Sequence, residues 1–192
     1  MPKGFTGDEK KIINEKLIEE CKINWQKYGY KKTSVDILCQ NIGISKGSFY
    51  SFFDSKEALF YEVLKNTLEK LYATVEEKIS QKKNKYGVAD ALKEIYLEYS
   101  QSSFMYDVNN PDFLSFYNKL NTEQRSEMAD RSHIGAKFMI NKPFLSLKVE
   151  EDLAISLLFA MLSTVSQKDN MLCDGKRVFA FMIDNLIDDI FE

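Results

Sequence analysis

Residues 33–50, TSVDILCQNIGISKGSFY, indicate the architecture of the N-terminal part of the chain. Its apolar residues recur at helical spacing on both sides of Gly43, which predicts two short helices with a turn between them. Thr33 offers an N-cap for the first helix, and Ser45 offers an N-cap for the second, which begins at Lys46. These lengths and this turn residue are typical of a helix-turn-helix, whose second helix enters the major groove of DNA.

The residues that open the second helix have the chemistry that DNA contact requires. Hydroxyls and backbone N–H groups at a helix start bind phosphate, and a lysine reaches a phosphate or a guanine edge. A glycine lets the backbone approach the DNA closely, and all three types occur in Ser45-Lys46-Gly47-Ser48. The alternative is a plain packing unit, because helix pairs with a glycine turn also occur without any DNA contact.

The rest of the chain is also predicted to be helical. Only eight Gly and three Pro occur in 192 residues, which favours an all-α fold over one with many turns. A first helix is expected from about Asp8 to Tyr28, with Gly29 as its stop, and a long helix is expected after Asp54 or Ser55. Later helices are expected at about 88–105, 111–120, 122–140, 149–167 and 176–191.

Residues 8–60 resemble the DNA-binding domain of the TetR family. The motifs that carry the resemblance are Tyr28-Gly29-Tyr30, Thr33-Ser34-Val35, Leu38-Cys39, the run Gly43 to Tyr50, and Phe53-x-Ser55-Lys56-Glu57-x-Leu59. The resemblance implies an N-terminal three-helix helix-turn-helix domain, residues 1–56. It also implies a C-terminal helical bundle for ligand binding and dimerisation, residues 57–192.

The resemblance further implies roles for individual residues. Phosphate contacts are expected from Thr33, Ser45, Tyr50 and Lys56, and base-edge contacts from Lys46, Gly47, Ser48 and Ser51. Two positions depart from the family pattern, because Phe52 stands where His or Tyr is frequent and Ile37 stands at a usually polar position. A polar backbone contact at Phe52 is therefore not expected.

The distribution of charge is consistent with DNA binding at the N-terminal end. The first 56 residues contain ten Lys and seven acidic residues, a net charge of 10 − 7 = +3. The remaining residues contain 16 basic and 22 acidic side chains, a net charge of 16 − 22 = −6. The basic end is the candidate surface for a polyanion.

Two segments near the C-terminus predict a homodimer. Residues 153–165 and 178–191 are apolar around most of a helix, so each needs burial on two sides. A symmetric four-helix interface would supply the second side, and the alternative is a central core helix within one subunit. The predicted interface residues are Leu157, Met161, Val178, Phe181 and Met182.

The middle of the chain is rich in Tyr, Phe and Met, which predicts a pocket for a small apolar or aromatic effector. Candidate ligand contacts are Tyr96, Tyr99, Phe113, Phe116 and Tyr117. The alternative for each of them is that it fills the core, as aromatic side chains at helical spacing usually do.

No motif of a catalytic, metal or cofactor site occurs in the sequence, so neither an enzyme nor a cofactor is expected. Three scattered cysteines and the lack of a long apolar run predict a cytoplasmic protein without a membrane partner. The predicted function is a repressor that leaves an inverted-repeat operator in double-stranded DNA when a small effector binds. The alternatives are a constitutive DNA-binding regulator, and a small-molecule binding protein with a vestigial helix-turn-helix.

Overall fold

The computed structural model describes residues 5–192, except for the side chains of Ser103 and Ser132. The regular elements of this part of the chain are α-helices and one 3-10 helix, Thr164–Asn170. The α-helices are α1 (Gly7–Lys32), α2 (Val35–Ile42), α3 (Lys46–Phe49), α4 (Lys56–Gln81), α5 (Lys85–Ser100), α6 (Ser103–Tyr106), α7 (Pro111–Tyr117), α8 (Thr122–Ile140), α9 (Glu151–Ser163) and α10 (Gly175–Ile190). The all-α prediction is therefore confirmed.

The chain divides into two compact units. Unit 1 comprises Met1–Leu68 together with Phe104–Leu120, and unit 2 comprises Glu69–Ser103 together with Asn121–Glu192. Helix α4 contributes its first half to unit 1 and its second half to unit 2. The domain boundary after residue 56 stays a prediction, and the helix that begins there runs unbroken past it.

Unit 1 is built around α1, whose residues Leu17, Cys21 and Trp25 are fully buried. The predicted stop at Gly29 is a kink: this glycine has φ 83° and ψ 171°, and helical structure resumes until Lys32. A positive φ of this kind is open to glycine at little cost and strained for other residues. The kink redirects the last residues of α1.

The helix-turn-helix matches the prediction in outline and corrects it in two details. Gly43 adopts a left-handed conformation, φ 77°, as the C-cap of α2, and Ser45 caps α3 by accepting a hydrogen bond from the Ser48 N–H. The N-cap of α2 is Ser34, which accepts from the Ile37 N–H, whereas Thr33 is the C-cap of α1. The sequence pattern predicts that this helix extends to about Phe53, whereas α3 ends at Phe49, because tighter turns follow it.

Two long predicted helices are interrupted. The segment expected over 88–105 forms α5 and α6, because Ser100 Oγ–H and Gln101 N–H donate to carbonyls three residues back and tighten the last turn of α5. The segment expected over 149–167 forms α9 and then the 3-10 helix. There the Ser163 and Thr164 hydroxyls donate to carbonyls three residues earlier.

Helices α5 and α10 form the centre of unit 2. Helix α10 buries Phe179, Ile183 and Ile187, while Phe181 lies on its outer side. The Tyr96 ring of α5 stacks on Phe179 with ring centroids 4.3 Å apart. Apolar burial on one side of α10 therefore orients the helix and leaves its other side for solvent or a partner.

No helix among residues 5–192 is both long enough and apolar enough to cross a membrane. Over the same residues, no group of three or more His, Cys, Asp or Glu side chains is placed to hold a metal ion. Cys21 and Cys39 are buried, and Cys173 is exposed.

Candidate nucleic-acid interface

The outer side of the helix-turn-helix presents six of the eight residues predicted to contact DNA. Lys46, Gly47, Tyr50 and Ser51 are exposed and Ser48 is half-buried, whereas Phe49 is fully buried in unit 1. Phe49 packs against Tyr50 and Phe53 with ring centroids 5.3 and 5.9 Å away. The buried ring anchors α3 and leaves its polar side available to a ligand.

The serines of the recognition helix are held in a hydrogen-bonded set. Ser45 Oγ accepts from the Ser48 N–H at 3.0 Å, and the two hydroxyl oxygens lie 2.8 Å apart. Ser51 Oγ–H donates to the Ser48 carbonyl at 2.6 Å. These bonds fix the hydroxyls before any DNA arrives, which reduces the entropy that a contact would lose.

Lys46 is held by an ion pair within the motif. Its Nζ lies 2.9 Å from Asp36 Oδ2 of α2, and this hydrogen bond, with the attraction between the charges, raises the pKa of Lys46. Both side chains are exposed, so the pair is open to exchange with other ions. A DNA phosphate or guanine edge would have to replace Asp36 as the partner of this ammonium.

Thr33 lies inside unit 1. Its side chain is 0% exposed, and its Oγ1–H donates to the Gly29 carbonyl at 2.8 Å. The hydroxyl thus closes the kinked end of α1, and the structure gives no support to a phosphate contact from this side chain. Thr33 and Ser34 both have a hydroxyl that could cap α2, and Ser34 is the N-cap in the structure.

Lys56 also turns inward. Its Nζ–H donates to the Tyr30 carbonyl at 2.5 Å and lies 3.9 Å from the centre of the Tyr30 ring. Partial burial lowers the pKa of Lys56. In this arrangement the ammonium stabilises the kinked end of α1, and its predicted phosphate contact stays a prediction that requires the side chain to turn outward.

The segment of unit 1 that follows α5 in sequence also holds α1, which the sequence did not indicate. Asp112 of α7 accepts hydrogen bonds from the Tyr30 N–H at 2.5 Å and the Lys31 N–H at 3.1 Å. Trp25 Nε1–H donates to the Phe104 carbonyl at 3.1 Å. In the sequence, the proline and the asparagine cap indicate only where α7 begins. Neither residue indicates which helix α7 packs against.

The five candidate effector residues fall in both units. Phe113 and Phe116 are buried in unit 1, where Phe116 packs against Trp25 with ring centroids 4.9 Å apart, and Tyr117 stacks on Phe113. Tyr96 and Tyr99 belong to unit 2, where burial raises the pKa of Tyr99 to about 12. The structure thus accounts for the two phenylalanines as core residues.

The predicted dimer residues lie on α9 and α10. Phe181 is 72% exposed, while the others are partly buried, and Leu157 and Met161 pack against the core of unit 2. Leu153 and Phe159 of α9 are also exposed apolar residues and were not among those predicted. These helices therefore keep apolar surface that unit 2 itself does not cover.

Comparison with known proteins gives matches of two kinds. Residues 24–63 match the family model described as bacterial regulatory proteins, tetR family. The uncharacterized HTH-type transcriptional regulator YhgD of Bacillus subtilis (strain 168) is 31% identical over 70 residues, 36% of this chain and 35% of that protein. This chain thus aligns with about a third of the length of that curated relative.

Similar solved structures extend over nearly the whole chain. The transcriptional regulator FadR from Bacillus subtilis, in complex with stearoyl-CoA, has a TM-score of 0.70 at 16% identity and covers 92% of this chain and 98% of its own. A TetR-family regulator from Bordetella parapertussis 12822 has a TM-score of 0.64 at 20% identity, with 92% and 94% covered. At these identities the structures establish the fold, and the family model matches the part of the chain that contains the helix-turn-helix, residues 24–63.

Proposed function

We propose that the protein is a sequence-specific regulator of transcription that binds an inverted-repeat operator as a homodimer. The observation that carries the proposal is the recognition helix α3, which has its polar side exposed and its apolar side anchored by the buried Phe49. Lys46, Gly47, Ser48 and Ser51 would contact base edges, while Ser45 and Tyr50 would contact phosphates. Lys56 would join the phosphate contacts after leaving the Tyr30 carbonyl.

A symmetric dimer follows from the need to read two half-sites. A helix-turn-helix monomer contacts one half-site, and a two-fold dimer presents two recognition helices about one helical turn of DNA apart. The exposed apolar residues of α9 and α10, led by Phe181, support an interface on unit 2. Leu157, Met161, Val178 and Met182 would line it.

A small molecule that binds unit 2 would release the repressor. Helix α4 is shared by both units, so a ligand that favours one arrangement of unit 2 can shift the population of DNA-binding conformations. The similar FadR structure holds stearoyl-CoA, which supports effector binding in this fold. The apolar or aromatic class of effector predicted from sequence has less support, because Phe113 and Phe116 fill the core of unit 1.

Selection of bound duplexes from a random DNA pool tests the proposal directly. We expect the selected sequences to converge on an inverted repeat, and we expect Lys46→Ala to bind this operator about ten-fold or more weakly per half-site. Glu15→Gln, on the exposed side of α1, is the control variant. A pool that stays random would instead favour the alternative of a small-molecule binding protein with a vestigial helix-turn-helix.

A second measurement distinguishes the repressor from the other alternative, a constitutive DNA-binding regulator. With the selected operator as a probe, compounds that bind the protein are added to the complex. A compound that binds and releases the DNA supports the repressor with an effector, whereas operator binding that no bound compound alters favours the constitutive regulator.

A further inference from the structure

Unit 2 contains a small pocket where the last turn of α5 lies beside the first turn of α10. Tyr96 and Ser100 line it from α5, and Gly175 lines it from α10. Its volume is about 330 Å³, at the lower end of the range for small-molecule sites. The pocket thus has room for a molecule the size of a single substituted ring.

A buried hydroxyl lies at the wall of this pocket. The Tyr96 side chain is 1% exposed, and its Oη has no hydrogen-bond partner among the residues that the structure describes. A Cβ on Gly175 would lie 2.7 Å from this oxygen, so glycine at this position allows the hydroxyl to approach the backbone of α10 closely. Because a buried hydroxyl without a partner is costly, a bound molecule that pairs with it gains that interaction.

The oxygen atoms around this space are arranged to accept hydrogen bonds. The hydroxyl of Ser100 already donates its proton to the Leu97 carbonyl at 2.7 Å. The lone pairs of Ser100 Oγ can therefore still accept a hydrogen bond. Asp174 lines the pocket and is fixed as the N-cap of α10, where it accepts from the Lys176 N–H at 2.9 Å. The pKa of Tyr96 is raised, first by burial and then by the negative charges of Asp174 and Asp169.

The pocket lining also contains two lysines, Lys168 and Lys176. Lys168 is paired with Asp169, with Nζ 3.6 Å from Oδ1, and Lys176 is an exposed side chain. The C-terminal end of α5 carries a partial negative charge, and the last turn of this helix contains no basic side chain that would neutralise it. The positive end of α10 is already neutralised in part by the carboxylate of Asp174.

We propose that this pocket binds a small organic amine in its protonated form. Its N–H groups would donate to Tyr96 Oη and to the Asp174 carboxylate. If this amine is also the effector that releases DNA, that role rests on the proposed function, whereas binding of the amine does not. Binding to unit 2 is measured without DNA, so its failure is distinguishable from a failure to bind an operator.

Three probes of nearly equal size test the charge that the pocket prefers: benzylamine, benzoate and benzyl alcohol, which are cationic, anionic and neutral at about pH 7. Each is titrated into the full chain, and the amide NMR signal of Gly175 is followed. We expect saturable binding of benzylamine with a Kd on the order of 1 mM. Benzoate and benzyl alcohol should bind at least about ten-fold more weakly.

Variants locate the binding to the pocket. Tyr96→Phe and Asp174→Asn should each weaken benzylamine binding about ten-fold, and asparagine keeps the helix cap at position 174. Gly175→Ala should weaken binding, because the added Cβ would lie 2.7 Å from Tyr96 Oη and displace the hydroxyl. Tyr86→Phe is the matched control, because Tyr86 lies on the same helix but bonds to Asp188 outside the pocket, and it should leave the Kd unchanged.

The outcomes that overturn the proposal are distinct. Tighter binding of benzoate would mean that the positive charges of the lysines and of the start of α10 dominate the electrostatic potential of the pocket. Equal binding of all three probes would mean that the site is apolar. Absence of saturable binding by any probe would mean that water alone satisfies Tyr96. An unchanged Kd in both Tyr96→Phe and Asp174→Asn would place the amine elsewhere.

Discussion

At the scale of single residues, the ion pair between Lys46 and Asp36 should limit DNA affinity. Asp36→Asn removes the hydrogen-bonded carboxylate 2.9 Å from Lys46 Nζ, so the ammonium no longer has to exchange one anion for another. We expect DNA affinity to rise on the order of two- to five-fold per half-site at low salt. Fluorescence anisotropy with a labelled duplex measures it.

Glu15→Gln is the control for this variant, because it removes an exposed carboxylate from α1 and leaves Lys46 paired. A gain of equal size in both variants would mean that net charge alone sets the affinity. Lower affinity in Asp36→Asn would mean that the carboxylate positions Lys46 for DNA.

A second prediction at this scale concerns Tyr99. Its folded pKa of about 12 lies above the ordinary value near 10, so the unfolded chain loses this proton first as the pH rises. Stability that is full below pH 10 should be lost between about pH 10 and 12, amounting to about 1.3 kcal/mol by pH 11. Urea unfolding at about pH 9 and 11 measures it, and Tyr99→Phe should lose less stability over this interval than the parent chain.

The other tyrosines make the comparison with Tyr99→Phe necessary. Tyr30, Tyr72 and Tyr96 also have raised pKa values, so they contribute to the same alkaline loss in both proteins. Tyr86→Phe, an exposed position, serves as the control variant. If Tyr99→Phe and Tyr86→Phe follow the same pH dependence, Tyr99 does not titrate as proposed.

At the scale of the elements, the kink in α1 should be more sensitive than the turn of the helix-turn-helix. An alanine at Gly29 would be strained at φ 83° and would place its Cβ 2.6 Å from Asp112 Oδ2. We expect Gly29→Ala to lower the free energy of unfolding by about 3 kcal/mol, through strain and loss of the Asp112 hydrogen bonds. Urea denaturation provides the measurement.

Gly43→Ala is the matched control for the kink. Gly43 also has a positive φ, 77°, but a Cβ there meets no atom within 4 Å. Strain alone should cost about 1 kcal/mol. A larger loss in Gly43→Ala than in Gly29→Ala would contradict the role given to the contact between α1 and α7.

The bounds of the helices can be predicted from the sequence more reliably than the contacts between them. Caps and glycines act on their own neighbours, so the end of α2 at Gly43 and the bounds of α8 could be predicted from local residues. The packing of Phe116 against Trp25 and the inward turn of Lys56 depend on which distant segments meet. Helical spacing marks an apolar side without identifying its partner, so the sequence alone makes Phe116 a candidate for ligand contact.

At the scale of the whole molecule, the exposed apolar side of α9 and α10 should hold two subunits together. Phe181 is 72% exposed on α10. In a two-fold dimer the same surface is used by both subunits, so the interface would bury the Phe181 side chain of each subunit. We expect the parent chain to have twice the 22.3 kDa mass of one subunit in light scattering, and Phe181→Glu to have the mass of one.

Ile134→Glu is the control for the interface, because Ile134 is 64% exposed on α8, outside the predicted contact, and this variant should stay dimeric. The operator provides a second readout. Two linked half-site contacts bind far more tightly than one, so Phe181→Glu should lose about 100-fold or more in operator affinity while keeping its folded helical content. If the mass of Phe181→Glu is unchanged and Ile134→Glu is monomeric, the subunits meet through α8 and not through α10.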